Sequence, residues 1–322
     1  MIIDLHCDML SHKTFSDHDN AVRCSPRQLI KGGVRKQVCA IFSENSESLA
    51  DARKQNSLFL SLPTINPRIK HITVDNSNYD EDSLYIIRGI ENASGLGNDS
   101  APLKILLEEL ANLMKSGPIA YLGLVWNGRN RFGGGVFEPY RLTSDGKILL
   151  EVMSEFGIPV DLSHCCDKLA DDILDYTLDK LPNMPILASH SNFRSVQNIP
   201  RNLPDAHAVE IARRGGVIGI NIVNYFVGEK LEDLHLHLES AERMGILPNI
   251  VLGTDFFYTK ENKFFPNCQS AENYPNILDV LCSYLEKAER IDAVLFRTAE
   301  NYLDQVLSLQ KISEKSFKEY SS

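Results

Sequence analysis

Residues able to bind a metal recur in one kind of place along this 322-residue chain. His6 and Asp8 close a first apolar run, Glu91 closes another, His164 and His190 each end one, and Asp255 ends the last. In His6-Cys7-Asp8 the i, i+2 spacing on a strand puts imidazole and carboxylate on one face and turns Cys7 away. Glu91 follows Ile86-Ile87-Arg88-Gly89-Ile90, where a carboxylate without a partner is costly to bury. Each has a plain explanation taken singly: a hydrogen-bonded H-x-D pair, a satisfied core histidine, or a salt bridge of Glu91 with Arg88 or another base. Together His6, Asp8, Glu91, His164 and His190 point to a metal centre. Imidazole and carboxylate ligands without thiolates suit Zn, Mn or Co, with zinc the default for hydrolysis. Five ligands exceed what one open catalytic zinc takes, but they suffice for two ions sharing a carboxylate. Such a pair holds a bridging hydroxide, formed near neutral pH and aimed at a carbonyl or phosphoryl centre.

Distant residues reach one place only if the fold gathers them. Eight β-rich runs alternate with stretches of helical period: Ile2 to Asp8, Val38 to Phe42, Leu84 to Glu91, Ile119 to Trp126, Ile158 to His164, Pro185 to His190, Gly216 to Ile222 and Ile250 to Asp255. Alternating βα units call for a parallel sheet covered by helices. Eight of them predict an α/β fold, a closed (β/α)8 TIM-type barrel occupying residues 1–322 as a single domain, whose strand ends all face one mouth. Leucine and isoleucine spacing predicts helices over Ala101 to Lys115 and, behind a Thr143/Ser144 cap, over Leu142 to Phe156. Others should start near Asp167, Asp205, Glu229, Asn276 and Asp292. Residues 12–37, 43–80 and 256–275 read as βα loops around the site, and the polar tail Ser313 to Ser322 as frayed.

Composition narrows the partners. A formal charge of -10 with dispersed Lys and Arg argues against nucleic acid and anionic membrane, and favours a small neutral or zwitterionic substrate. No run approaches the roughly 18 apolar residues of a membrane span, and the N-terminus has no signal-peptide pattern, so a soluble cytoplasmic protein is expected. Seven cysteines without a C-x-x-C pair read as reduced thiols. His235 and His237 share a helix but not a face, while His12 and His18 belong to the first loop. Cys165-Cys166 reads as buried thiols. No nucleophile elbow, P-loop or dinucleotide fingerprint is present.

Several stretches carry a resemblance. Asp4-Leu5-His6-Cys7-Asp8, Ile90-Glu91, Val160-Asp161-Leu162-Ser163-His164, Ala188-Ser189-His190-Ser191-Asn192, Pro200-Arg201-Asn202-Leu203-Pro204-Asp205 and Leu252-Gly253-Thr254-Asp255-Phe256 together resemble the membrane (renal) dipeptidase family of metal-dependent barrels. The resemblance implies His6 and Asp8 on one zinc, His164 and His190 on a second, and Glu91 with a hydroxide bridging them. It implies Arg201 on the substrate carboxylate, Asp255 near the scissile nitrogen, and a homodimer. A guanidinium fork suits the carboxylate role, and Asp255 suits a proton shuttle. Two positions depart from the family. Trp126 stands where a histidine is usual, so any help to a developing oxyanion must come from the metal or from donors such as Asn127 and Arg129. Phe257-Tyr258 replaces an acidic residue and a glycine. The expected activity is hydrolysis of dipeptides or similar amino-acid conjugates. The alternatives are an N-acyl-amino-acid deacylase on the same fold, and a metal-binding barrel of little activity that acts as a sensor or assembly partner.

Overall fold

The computed structural model describes residues 1–12, 20–44, 48–75 and 79–317. Nine parallel strands form one sheet: β1 (Ile2–Cys7), β2 (Val34–Ile41), β3 (Ile69–His71), β4 (Leu84–Ile90), β5 (Ile119–Gly123), β6 (Val160–Asp161), β7 (Ile186–Leu187), β8 (Ile218–Ile220) and β9 (Ile250–Leu252). Eight run in the order β7-β6-β5-β4-β2-β1-β9-β8, with β3 paired beside β4. A parallel bridge from Ala188 to Ile218 joins the two ends and closes the ring. The architecture is the expected α/β barrel.

Two apolar layers hold it. Inside the ring Ile3, Leu5, Val38, Ile87, Tyr121 and Val251 pack together, and Ala299, Tyr302, Leu303 and Val306 of the last helix, Thr298–Phe317, plug the floor. Outside it, alternate residues such as Ile86 and Ile90 meet the surrounding helices, the two-sided burial a parallel sheet requires.

Several strands stop short of the predicted runs, for a local reason. Beyond Asp161, the N–H groups of Ser163 and Ser189 bond to Asp161 Oδ1 at 3.0 and 2.9 Å. Beyond Leu252, the N–H of Thr254 bonds to Asp4 Oδ1 at 3.0 Å, and so does that of His6 at 3.2 Å. Buried carboxylates thus take over from ladder carbonyls and release the chain toward the mouth.

The helices match the periodicity closely. Leu103–Lys115 begins two residues later than predicted, and Ser144–Glu155 is capped by Thr143, which accepts from Gly146 N at 3.0 Å. Near the expected Glu229 start lie a 3-10 turn, Leu231–Asp233, and then a helix, Leu234–Arg243. Two loop assignments need correction. Region 43–80 contains a 17-residue helix, Leu49–Ile65, and strand β3; region 12–37 contains helix Pro26–Lys31 and the start of β2. The long helix escapes periodicity because it buries only Ala52, Gln55, Phe59 and Leu62 and carries Pro63. The tail is helical as far as Phe317; residues 318–322 and His18 lie outside the described residues. Among the described residues no helix is long and apolar enough to cross a membrane.

His237, expected at the surface or partly buried, is fully buried. Its Nδ1 accepts from Phe193 N at 3.3 Å and its Nε2 lies 3.0 Å from Val227 O, so the ring is held neutral. Burial lowers its pKa to about 4 from the ordinary 6.5. The unfolded chain therefore takes up the proton first as pH falls, and stability present above pH 6.5 is lost progressively toward pH 4, by about 3 kcal/mol in all. Urea midpoints across that window should fall less steeply for His237→Gln than for the parent.

Candidate metal centre

All six strand-end residues meet at the mouth. His6 Nε2 lies 3.8 Å from Asp8 Oδ2, 4.0 Å from Glu91 Oε2 and 3.7 Å from Asp255 Oδ1. His164 and His190 place their Nε2 atoms 3.0 and 3.8 Å from Glu91 Oε1 and 3.0 Å from each other. The rings of His6 and His190 stack at 3.6 Å. Among the described residues two triads have mutually close donor atoms, His6–Glu91–His190 and His6–Asp8–Asp255, and every member is buried.

The donor set fits a metal. His6 Nε2, Asp8 Oδ1 and Glu91 Oε2 are buried without a hydrogen-bond partner, a costly state unless something binds them. Separations of 3.7 to 4.0 Å around His6 Nε2 are too long for hydrogen bonds, whereas ligands of one ion need only each approach it to about 2.0–2.2 Å. Glu91 makes no salt bridge with Arg88; its neighbouring bases are the histidines themselves. Arg88 points to the outer layer, where it donates to Ser116 Oγ, Leu113 O and Gly117 O at 2.7 to 2.8 Å.

Charge tells the same story. Burial pushes Glu91 well above the usual carboxylate range, reinforced by Asp8, and pushes Asp255 up to about 7. Burial opposes protonation of His6, yet Asp8, Glu91 and Asp255 together lift it to about 10. Burial holds His164 and His190 well below the ordinary histidine value. In metal-free protein the three crowded carboxylates lean on a protonated His6 and on Arg201 for positive charge, a part a divalent cation can take over.

An outer layer fixes the inner one. His6 Nδ1 is 2.6 Å from Tyr121 Oη, His164 Nδ1 2.9 Å from Asn127 Oδ1, and His190 Nδ1 2.7 Å from Ser189 Oγ, which in turn donates to Asp161. Asn221 Nδ2 donates to Asp255 Oδ2 at 2.7 Å. His164 and Asp255 have φ of 69° and 61°, a left-handed conformation that costs non-glycine residues energy and clusters at functional sites. Tyr121 is held by contact: a Cβ at Gly89 would stand 2.4 Å from its Cζ. Gly89→Ala should therefore displace the phenol from His6. The expected results are about 1–3 kcal/mol lost in thermal unfolding and metal affinity weakened roughly 10–100-fold in a direct titration.

The other predicted residues divide. Arg201 is buried, with Nη1 donating to Ser191 Oγ at 2.9 Å, Nη2 to His190 O at 3.1 Å and Nε left without a partner. Trp126 lies in the wall, its ring 6.0 Å from that of His164. Asn127 is engaged by His164. Arg129 stacks on Tyr140 at 3.4 Å and does not line the cavity. His12, read as a solvated loop residue, lines the mouth and packs on Tyr258 at 4.0 Å. Cys165 and Cys166 are buried thiols. Tyr121 and Ser189 were missed; Asn127 was singled out as a donor to substrate but orients His164 instead; Asn221 could have been found, because it too is a polar residue near the end of an apolar run.

A closed parallel barrel with imidazoles and carboxylates gathered at its C-terminal mouth defines the class: a TIM-type barrel carrying a candidate catalytic metal centre. The chain belongs to the family described as Membrane dipeptidase (Peptidase family M19), whose family model matches residues 1–315. It is 28% identical over 189 residues to a Klebsiella pneumoniae protein described as an uncharacterized protein in the pqqA 5' region. It is 25% identical over 180 residues to Dipeptidase 3 of Mus musculus. Those matches cover 54% of this chain and span 65% and 34% of the two relatives. In fold it is similar to a metallo peptidase from Rhodobacter sphaeroides liganded with a phosphinate mimic of L-Ala-D-Ala. That likeness has a TM-score of 0.81 at 18% identity, covering 95% of this chain and 99% of that one.

Proposed function

We propose that this chain is a zinc-dependent, two-metal hydrolase of dipeptides or similar small amino-acid conjugates, formed as one barrel domain. The observation that carries the reading is the set of unpartnered buried donors, His6 Nε2, Asp8 Oδ1 and Glu91 Oε2, converging on one point beside a buried guanidinium. His6 and Asp8 would hold one ion, His164 and His190 the second, and Glu91 both. Bound metal supplies a polarised carbonyl and a water deprotonated near neutral pH.

The protein's own groups do the rest. Arg201, buried with its Nε left without a hydrogen-bond partner, receives the substrate carboxylate and so fixes the length and orientation of the substrate. Asp255, oriented by Asn221, takes the proton from the attacking water and passes it to the departing amine. Asn127 orients His164 rather than acting as a free donor to substrate. Trp126 shapes the pocket without adding charge. Seven free cysteines support a reducing, cytoplasmic setting.

Metal analysis of purified protein, followed by hydrolysis assays on L,L and L,D dipeptides and on N-acyl amino acids, tests this. Two equivalents of zinc with dipeptide turnover is the expected result. Fully metallated protein that cleaves no dipeptide ends the reading, and cleavage of N-acyl amino acids alone replaces it with the deacylase.

A further inference from the structure

The cavity over the metal centre has a volume of about 720 Å³, far more than a pair of alanine-sized residues fills. Its outer walls are aromatic and aliphatic: Phe42 and Trp126 on one side, Val223, Tyr225 and Phe226 on the other, with Phe257 and Tyr258 along the rim. Lys263, the one lysine among the described residues that line it, is paired with Glu261 at 2.8 Å, which compensates its charge.

The two walls differ in what stands behind them. The Arg201 guanidinium sits 5.7 Å from the Phe226 ring, in the segment that follows β8. Phe42 and Trp126 meet edge-to-face at 5.1 Å above Glu91 at the end of β4. In the eight-membered ring β4 and β8 are four positions apart, on opposite sides of the mouth. A substrate whose carboxylate is held by Arg201 therefore places its amine-derived half toward Phe226 and its acyl half toward Phe42 and Trp126. This wall is fixed: Gln55 bonds both the N–H and the C=O of Phe42, at 2.8 and 2.7 Å, and Asn127, next to Trp126, is tied to His164.

We infer that the substrate is an amide whose acyl half carries a large apolar group, aromatic by preference, packed on Trp126 and Phe42, and that Trp126 is a specificity-determining residue. The inference rests on the hydrolase reading and deepens it. The departure at Trp126 then has a second effect besides the loss of a polar donor to the carbonyl: it puts a flat apolar surface in the wall that faces the acyl half.

Metallated protein assayed on X-Ala peptides, with X Gly, Ala, Leu or Phe, and on the mirrored Ala-X series tests it. We expect kcat/KM for Phe-Ala to exceed that for Gly-Ala by at least about tenfold, in the range one apolar pocket can give. Trp126→Ala should cut that ratio about tenfold, and Phe42→Ala should cut it too, with the Ala-Phe to Ala-Gly ratio unmoved. The compound 3-phenylpropanoyl-alanine, which is Phe-Ala without its amine, tells an N-acyl amino acid from a dipeptide as the source of the apolar group. Trp126 is the sole tryptophan, so emission excited at 295 nm reads the pocket directly; a phosphinate mimic of Phe-Ala should shift it and one of Gly-Ala should not. Equal kcat/KM across X, or a ratio unmoved in both variants, overturns the inference while leaving the hydrolase reading intact. Absence of any amide cleavage overturns the hydrolase reading, and equal emission responses to the two mimics then overturn this inference separately.

Discussion

Glu91→Gln protein is expected to bind less metal than the parent and to lose at least a thousandfold in kcat/KM, about 4 kcal/mol of transition-state stabilisation. Both Glu91 oxygens face imidazole nitrogens, Oε1 toward His164 and His190 and Oε2 toward His6. Gln keeps the shape but loses the charge and offers one oxygen where two are used. Stability should move the other way. In metal-free protein Glu91 is a buried carboxylate whose Oε2 has no partner and whose pKa burial drives upward. Removing such a charge relieves a desolvation cost, as at many functional sites. Metal per chain by mass spectrometry and melting curves with and without chelator check both halves. The parent should gain more from metal than the variant, in proportion to the logarithm of ligand over dissociation constant. A variant that keeps full metal and activity would remove Glu91 from the site.

Asp255→Asn should separate binding from chemistry. Asn accepts the hydrogen bond from Asn221, tolerates the left-handed φ of 61° at this position, and cannot carry a proton between water and amine. A loss of about 10²–10⁴ in kcat with KM little changed is the expected outcome. Metal content should be retained. Asp255 also forms a close triad with His6 and Asp8, so a variant that loses one equivalent of metal would reassign it from proton carrier to ligand.

Much of this was legible in the chain, and the rest has physical causes. The barrel showed itself through eight short apolar runs, and the site through a polar residue closing most of them, because strand ends are where a parallel barrel exposes its chemistry. Helix Leu49–Ile65 did not show itself: it buries few apolar residues and contains a proline. Strand ends were overestimated at Asp161 and Leu252, since hydrophobic pattern cannot reveal that a buried carboxylate will take the next N–H groups. Tyr121 and Ser189 were invisible because their roles depend on which ring nitrogen they meet, a matter of three-dimensional register. The plain alternative for Glu91, a pairing with Arg88, was excludable from the sequence, because a spacing of three along a strand sends the two to opposite faces.

The joining of the first strand to the last has a consequence for folding. Asp4 receives the N–H of Thr254 across 250 positions, and Asp255 donates its own N–H to His6 O. Asp4 and Thr254 are 250 positions apart, so the strand carrying His6 and Asp8 gains these neighbours only after that length of chain has followed it. Contacts of such long range make folding slow, and until then both ends of the sheet stand open as sticky edges. Closing the ring is therefore also what brings His6 and Asp8 beside Asp255.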